Sequence, residues 1–297
     1  MDIVVFGAGS IGSLLGGLLS RVHDVTLIAR PDHVELVNRN GLVIDGLQEW
    51  HVHPEARTEV AGLEADLALV TVKSYDCEVA ARELSRASVD AVCSVQNGMG
   101  NEETLAEFLS DPVLGGTTTY GADRRAPGSV TMTGEGVVTL GLFHGGDRDL
   151  LMAIASAFDE AGINVETVDD IHTTLWRKLV VNAAINPVTA LARCRNGAVA
   201  DEPLASIARV AASETVAVAA ETGIYLDEEA AIETVFDVAR ATADNRSSML
   251  QDVLAERRTE IDAINATVVD RTEEVAVPVN ATLSGLVVGW ERTNELR

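Results

Sequence analysis

Residues 3–12 read Ile3-Val4-Val5-Phe6-Gly7-Ala8-Gly9-Ser10-Ile11-Gly12, and small and apolar residues follow at helical spacing as far as Leu19. A short apolar run, three glycines spaced GxGxxG and a helix leave few architectures open. The first glycine permits a tight turn, the second lets a pyrophosphate approach the backbone, and the third lets the helix pack on the strand. The helix N-terminus adds free N–H groups and the positive end of its dipole. Alone the motif is weak. As the first element of the chain, with a second apolar run at Asp24-Val25-Thr26-Leu27-Ile28-Ala29, it reads as the opening of a Rossmann-type dinucleotide-binding α/β domain.

The tip of that second strand bears on which nicotinamide cofactor fits. An acid there binds the ribose 2′-hydroxyl and repels a 2′-phosphate, whereas this chain has Ala29-Arg30-Pro31. Arg30 can pair with a phosphate, which favours NADP(H); Asp32 argues the other way, and a plain solvated arginine is the alternative. Residues 66–72 and 91–95 read as buried parallel strands ending at Lys73 and at Gln96-Asn97-Gly98, where an open α/β sheet binds its ligands. A surface lysine and a simple turn are the competing readings. Short β runs at 114–120, 129–133 and 137–142 suit an antiparallel extension of that sheet, followed by a helix over 150–161 and a strand over 164–168. The expected first domain is 1–168.

Beyond Asp169-Asp170 the β signal disappears, so 169–297 is expected to be an all-α domain, with helices over 171–192, 203–222, 227–243, from 247 and from 280. Its first helix carries Trp176-Arg177-Lys178-Leu179 and places Lys178, Asn182 and Asn186 at i, i+4 and i+8, drifting only about 40° per step. An amine and two amides among Val, Leu and Ile call for polar partners, since an unpaired buried polar group costs on the order of 1–3 kcal/mol. A snorkelling lysine beside backbone-satisfied amides is the bland alternative. Composition adds weight: of 22 lysines and arginines only Lys73 and Lys178 are lysines. A desolvated lysine can be tuned into a proton donor, a role arginine fills badly.

Ser247-Ser248 opens a helix whose free N–H groups could receive a carboxylate, or the serines simply cap it. Thr259-Glu260-Ile261-Asp262 has capping-box spacing, which implies a break near Arg257-Arg258 and a new helix start at Thr259. On one straight helix Ser248 and Glu260 would be about 18 Å apart; as two successive helix starts they could share a small ligand.

A formal charge of −24 with 46 acidic residues makes nucleic acid a poor partner. It suits either adaptation to a salty cytoplasm or an ordinary acidic surface. No apolar run reaches the roughly 18 to 20 residues of a membrane span, and residues 1–6 lack a basic leader, so a cytoplasmic protein is expected. Cys77, Cys93 and Cys194 lack metal or disulfide spacing and read as packing residues, with no metal site expected.

Together these motifs resemble, over nearly the full length, the ketopantoate reductase family, the 2-dehydropantoate 2-reductases. The resemblance rests on Gly7 to Gly12, Lys73, Gln96-Asn97-Gly98, Trp176 to Leu179 with Asn182 and Asn186-Pro187, Asn196-Gly197, Ser247 to Asp252, and Thr259 to Asp262 with Asn265. Two departures stand out: Ala266 where the family often has glycine, and the acidic surface. The resemblance implies NADPH-dependent reduction of 2-dehydropantoate to (R)-pantoate, in pantothenate and coenzyme A synthesis. By it, Lys178 is the general acid, Asn97, Asn182, Asn186, Asn196 and Ser248 hold substrate, and Glu260 lies at the substrate and the cofactor ribose. The expected cofactor residues are Gly7, Ala8, Gly9, Ser10, Ile11, Gly12, Arg30, Lys73, Asn97, Ala122 and Glu260. Substrate and cofactor would meet in the cleft between the domains, and a homodimer is the candidate assembly. A reductase of another 2-oxo acid, or a non-catalytic NADP-sensing regulator, are the alternatives.

Overall fold

The computed structural model describes every residue from Met1 to Arg297. The chain forms two compact units: Met1–Gln96 with Asn101–Ile171, and Asn97–Gly100 with His172–Arg297. The divide thus lies at Ile171/His172, and residues 97–100 belong with the helices.

In the first unit eight strands form one sheet, in the order Val165–Thr167, Val138–His144, Val113–Thr118, Val92–Ser94, Leu67–Val70, Asp2–Phe6, Asp24–Ile28, Glu55–Arg57. The six from Val113–Thr118 to Glu55–Arg57 are parallel. Numbered along the chain they lie 3-2-1-4-5-6, the doubly wound order that binds a dinucleotide outside the carboxyl ends of its strands. Side chains alternate between the faces. Ile3, Val5, Leu67 and Leu69 join a core with α1 (Ser10–Leu19). Val4, Ala68 and Val70 join a second core. α2 (Pro31–Asn40) packs Val37 into the first core and α3 (Cys77–Leu84) lies in the second. The second core also holds Leu105 of α4 (Asn101–Phe108), and the first holds Phe158 of α5 (Arg148–Glu160). Burial on both faces is why these strands read as unbroken apolar runs. Burial also pushes the Cys77 thiol up to about 12, as suits a packing residue.

The expected extension of this sheet is only partly met. Val113–Thr118 does pair antiparallel with Val138–His144, and Val165–Thr167 then adds in parallel. Ser129–Gly134 instead forms a separate four-stranded sheet with Gly121–Ala126, Leu42–Gly46 and Trp50–Val52. Its apolar side chains explain the departure. Leu42, Ile44, Val130 and Met132 are buried in the same core as α1, over a helix whose Gly17 leaves no room for a Cβ: one there would lie 2.9 Å from Leu42 and Ile44.

The second unit is all helical: α6 (Ile171–Ala192), α7 (Leu204–Glu221), α8 (Glu228–Ala241), α9 (Ser248–Leu254), α10 (Thr267–Arg271) and α11 (Pro278–Thr293). Val180, Ala184 and Val188 of α6 pack with Ala208 and Ala212 of α7, Val235 and Ala239 of α8, and Leu283 of α11. No helix is long and apolar enough to cross a membrane.

α6 continues through Pro187, which has no N–H to give the carbonyl of Ala183 four residues back. The Asn265 amide donates to that carbonyl at 3.0 Å and to Asn280 Oδ1 at 2.9 Å, while Asn280 donates to the Glu214 carboxylate at 2.8 Å. Asn265 and Asn280 are wholly buried. The proline-interrupted helix is therefore closed by a side chain 82 residues along the chain.

Candidate functional site

At the carboxyl edge of the parallel strands the glycine-rich turn is fixed from three sides. Gly7 and Ala8 donate their backbone N–H groups to Ile28 O at 3.0 and 2.9 Å, which ties the turn to the tip of the second strand. Thr71 Oγ1 donates to Gly7 O at 2.8 Å. A Cβ on Gly7, whose φ is +105°, would lie 2.5 Å from Val72, and one on Gly12 would lie 2.4 Å from both Gly7 O and Thr71 Oγ1. Gly9 differs: a Cβ there would meet only Gly7 O, at 3.8 Å. The outer glycines are thus closed by packing and the middle one faces open space at the start of α1. That is the shape a pyrophosphate needs, so the residues present fit a dinucleotide.

The other first-unit candidates fall around this turn. Arg30 caps α2 immediately after the strand that anchors the turn, and its side chain is exposed. Lys73 follows Thr71-Val72 directly and is half-buried at the start of a 3-10 turn, Ser74–Asp76. Ala122 lies half-buried in the Gly121–Ala126 strand, opposite Met132.

Three further residues support the turn and escape a sequence reading. Gly128 N–H donates to Nδ1 of the buried His33 at 3.0 Å, so Nε2 carries the proton and donates to Ser13 Oγ at 3.3 Å. Ser13 Oγ donates in turn to Ala8 O at 3.0 Å. Burial first, and then the Arg124 guanidinium, lower the His33 pKa to about 4 against a smaller opposing pull from Asp32. The ring is therefore neutral at ordinary pH. Only a histidine three residues beyond Arg30 hinted at this.

In the second unit, Lys178, Asn182 and Asn186 lie on one face of α6. The Lys178 Nζ is buried from solvent, and Asn186 is only 6% exposed. Asn196 opens a 3-10 turn, Asn196–Ala200, and donates its amide to Thr242 Oγ1 at 2.9 Å. Thr242 Oγ1 spends its own proton on Val238 O, which fixes the Asn196 amide with Oδ1 turned away from that bond. This Oδ1 is buried without a hydrogen-bond donor from the chain.

Asn97 joins this unit through its turn. Met99 N–H donates to Ala263 O at 2.9 Å, and Gly98, at φ +84°, presses so closely on Ala263 that a Cβ would lie 2.5 Å from it. The Asn97 amide donates to Glu260 at 3.4 Å, and Glu260 is 4% exposed. The pairing joins residues 163 apart in sequence.

The two helix starts differ from expectation in detail. Ser247 caps α9 by accepting from Leu250 N at 3.1 Å and is bonded to Thr189 of α6 at 2.7 Å, which leaves Ser248 as the first helical residue. The capping box at Thr259 does not form. Glu291 of α11 takes the Thr259 N–H and hydroxyl at 2.7 and 2.6 Å, while Asp262 turns to Arg258 and Arg297. A buried carboxylate from the last helix outcompetes the local one, and the chain then passes through a π-helical turn, Asp262–Ala266, a distortion frequent at functional sites.

A 3-2-1-4-5-6 sheet with a glycine-rich turn at its carboxyl edge, and a helical unit with a buried lysine amine beside two amides, define a class: NAD(P)-dependent oxidoreductases with a Rossmann domain and an all-α domain. Within it, the chain belongs to the ketopantoate reductase family. The family described as ketopantoate reductase PanE/ApbA matches residues 3–145, and its C-terminal counterpart matches residues 170–291. The 2-dehydropantoate 2-reductase of Archaeoglobus fulgidus is 41% identical over 295 residues, covering 97% of each chain. That of Halobacterium salinarum is 39% identical over 298 residues, covering 97% of this chain and 98% of its own. Among solved structures, a PanE/ApbA family ketopantoate reductase from Ralstonia eutropha superposes with a TM-score of 0.91 at 31% identity, over 99% of this chain and all of the other. D-mandelate dehydrogenase with NADH and anilino(oxo)acetate gives 0.92 at 25% identity, over the full length of both.

Proposed function

We propose that this protein reduces the ketone of 2-dehydropantoate to the hydroxyl of (R)-pantoate with NADPH, in the cytoplasm, as a step of pantothenate and coenzyme A synthesis. The reading is carried by Lys178: a buried amine, one of two lysines in the chain, on a helix face shared with Asn182 and Asn186. Full-length similarity to 2-dehydropantoate 2-reductases supports the substrate, and three unpaired cysteines suit a reducing compartment.

When bound, the nicotinamide supplies a hydride to the carbonyl carbon. The carbonyl π electrons move to oxygen, and Lys178, as the ammonium, stabilises the developing alkoxide and donates the proton that completes the hydroxyl. Asn182 and Asn186 orient the ketone. The buried Asn196 Oδ1 accepts a substrate hydroxyl, which removes the penalty of an acceptor left without a donor. The first N–H groups of α9, at Ser248, receive the substrate carboxylate. Glu260, held by Asn97, faces the substrate and the cofactor ribose. Gly7 to Gly12 cradle the pyrophosphate, while Lys73 and Ala122 border the cofactor. Arg30, with no acid at the strand tip, selects the 2′-phosphate. A homodimer is the candidate assembly, readable by sedimentation equilibrium.

The match to D-mandelate dehydrogenase bound to NADH and an oxo acid favours one second reading, a reductase of a different 2-oxo acid. Steady-state rates across a panel of 2-oxo acids, each with NADPH and NADH, separate the two. The expected result is the highest kcat/KM for 2-dehydropantoate with NADPH. A clear preference for an acid lacking the branched hydroxymethyl group would overturn the substrate assignment.

A further inference from the structure

We propose that Arg124 is a second recognition residue for the cofactor's 2′-phosphate, acting with Arg30; the assignment rests on the NADP(H) reading above. Its backbone N–H donates to Ser10 Oγ at 3.1 Å, which fixes its strand beside the first residue of α1 and the open face of the glycine-rich turn. Its guanidinium reaches the first turn of α2, with Nη1 3.5 Å from His33 Nδ1. Arg30 is the cap residue of the same turn, and its carbonyl accepts the His33 N–H at 3.0 Å. The side chain therefore spans the two helix starts against which a dinucleotide's pyrophosphate and adenosine ribose would lie.

Charge strengthens the case. This chain has 46 acidic residues against 22 lysines and arginines, and the neighbouring Arg125 is engaged by Asp123 at 2.9 Å. Arg124 has no carboxylate at ion-pair distance, and the imidazole it touches is a neutral hydrogen-bonding partner. Arg30 has no ion pair either. The start of α2 thus offers two guanidiniums and one carboxylate, Asp32, a net positive site in a protein of net charge −24. A ribose 2′-hydroxyl makes little use of two guanidiniums, whereas a phosphate dianion accepts from both. His33 holds the guanidinium in place, because its ring is fixed by Gly128 and Ser13 and cannot swing away.

The experiment compares the full-length wild type with Arg124→Gln, Arg124→Lys and Arg30→Gln. Calorimetry reads binding of 2′,5′-ADP and 5′-ADP, and fluorescence titration reads NADPH and NADH. Arg124→Gln is expected to raise the Kd of NADPH and 2′,5′-ADP about tenfold while leaving NADH and 5′-ADP within about twofold. Arg124→Lys should recover part of the loss, and unchanged thermal midpoints would exclude misfolding as its cause. Equal weakening of NADPH and NADH would move Arg124 to the pyrophosphate and overturn the assignment, as would no change in either. A wild type that binds NADPH and NADH alike would defeat the cofactor reading itself. A wild-type NADPH preference that survives Arg124→Gln but falls with Arg30→Gln would defeat only the role of Arg124.

Discussion

The two units build their candidate sites from different parts of the chain. At the edge of the parallel sheet the chemistry is mostly backbone: amides at the start of α1, a glycine that leaves space, carbonyls held by Thr71 and Ser13, and the Ile28 carbonyl that takes the Gly7 and Ala8 N–H groups. In the helical unit it is mostly side chain: a lysine amine, four asparagines and a glutamate, supported by buried polar chains such as Glu214, Asn280 and Asn265. A backbone site depends on which positions lack a Cβ. A side-chain site depends on residues whose polar atoms are satisfied from far along the sequence.

The sharpest way to break this contrast is Lys178→Ala. Loss of a general acid should lower kcat by about 10²–10⁴-fold while NADPH binding, read by fluorescence titration, is unchanged. A variant that keeps more than a tenth of the wild-type kcat would show that the helical unit does not supply the proton.

His33 tests whether the first unit also relies on a side chain. Its folded pKa of about 4 lies below the ordinary 6.5, so protonation favours the unfolded chain. The stability gained from the neutral ring is full above pH 6.5 and is lost as the pH falls toward 4, by on the order of 3 kcal/mol at most. Urea unfolding of the wild type should therefore weaken more steeply across that window than that of His33→Gln. Equal slopes would mean that the ring does not resist protonation.

Asn265→Ala should destabilise the fold by roughly 2 kcal/mol, because it strips the Ala183 carbonyl of its donor and Asn280 of a partner. In a Pro187→Ala background the helix regains its own N–H donor, and part of that loss should disappear. A double-mutant cycle reads the difference, and strict additivity would refute the link between proline and amide.

The smallest effect separates glycines within one turn. Gly9→Ala should leave the thermal midpoint within about 1 °C and weaken NADPH and NADH alike by about tenfold, since its Cβ would make only an ordinary contact with Gly7 O, at 3.8 Å, and would occupy the pyrophosphate cradle. Gly12→Ala, with a Cβ 2.4 Å from Gly7 O, should instead lower the thermal midpoint. If both act only on binding, packing is not what demands the third glycine.

Local signals made much of this legible. Runs of apolar residues marked four of the six parallel strands, Asp2–Phe6, Asp24–Ile28, Leu67–Val70 and Val92–Ser94, because both faces of that sheet are covered, and helical spacing marked 171–192 as α6. The edge strand Glu55–Arg57 carries no such run, and Val113–Thr118 was expected only in the antiparallel extension. The second sheet was not legible as such. Ser129–Gly134 pairs with Leu42–Gly46, more than 80 residues away, and nothing in either run names its partner. The same distance hid the bond between Asn97 and Glu260 and the capture of Thr259 by Glu291, a long-range carboxylate winning over a local capping signal.

By itself the sequence determined the first two strands, the glycine-rich turn between them and the lysine helix, because each depends on spacings of a few residues that backbone geometry reads directly. Only the tertiary structure decided that residues 97–100 pack with the helices, that Asn265 satisfies the carbonyl Pro187 leaves without a donor, and that Arg124 and His33 meet at the start of α2. Those outcomes depend on which buried polar groups find one another once apolar packing has brought distant segments together, and no short window of sequence carries that information.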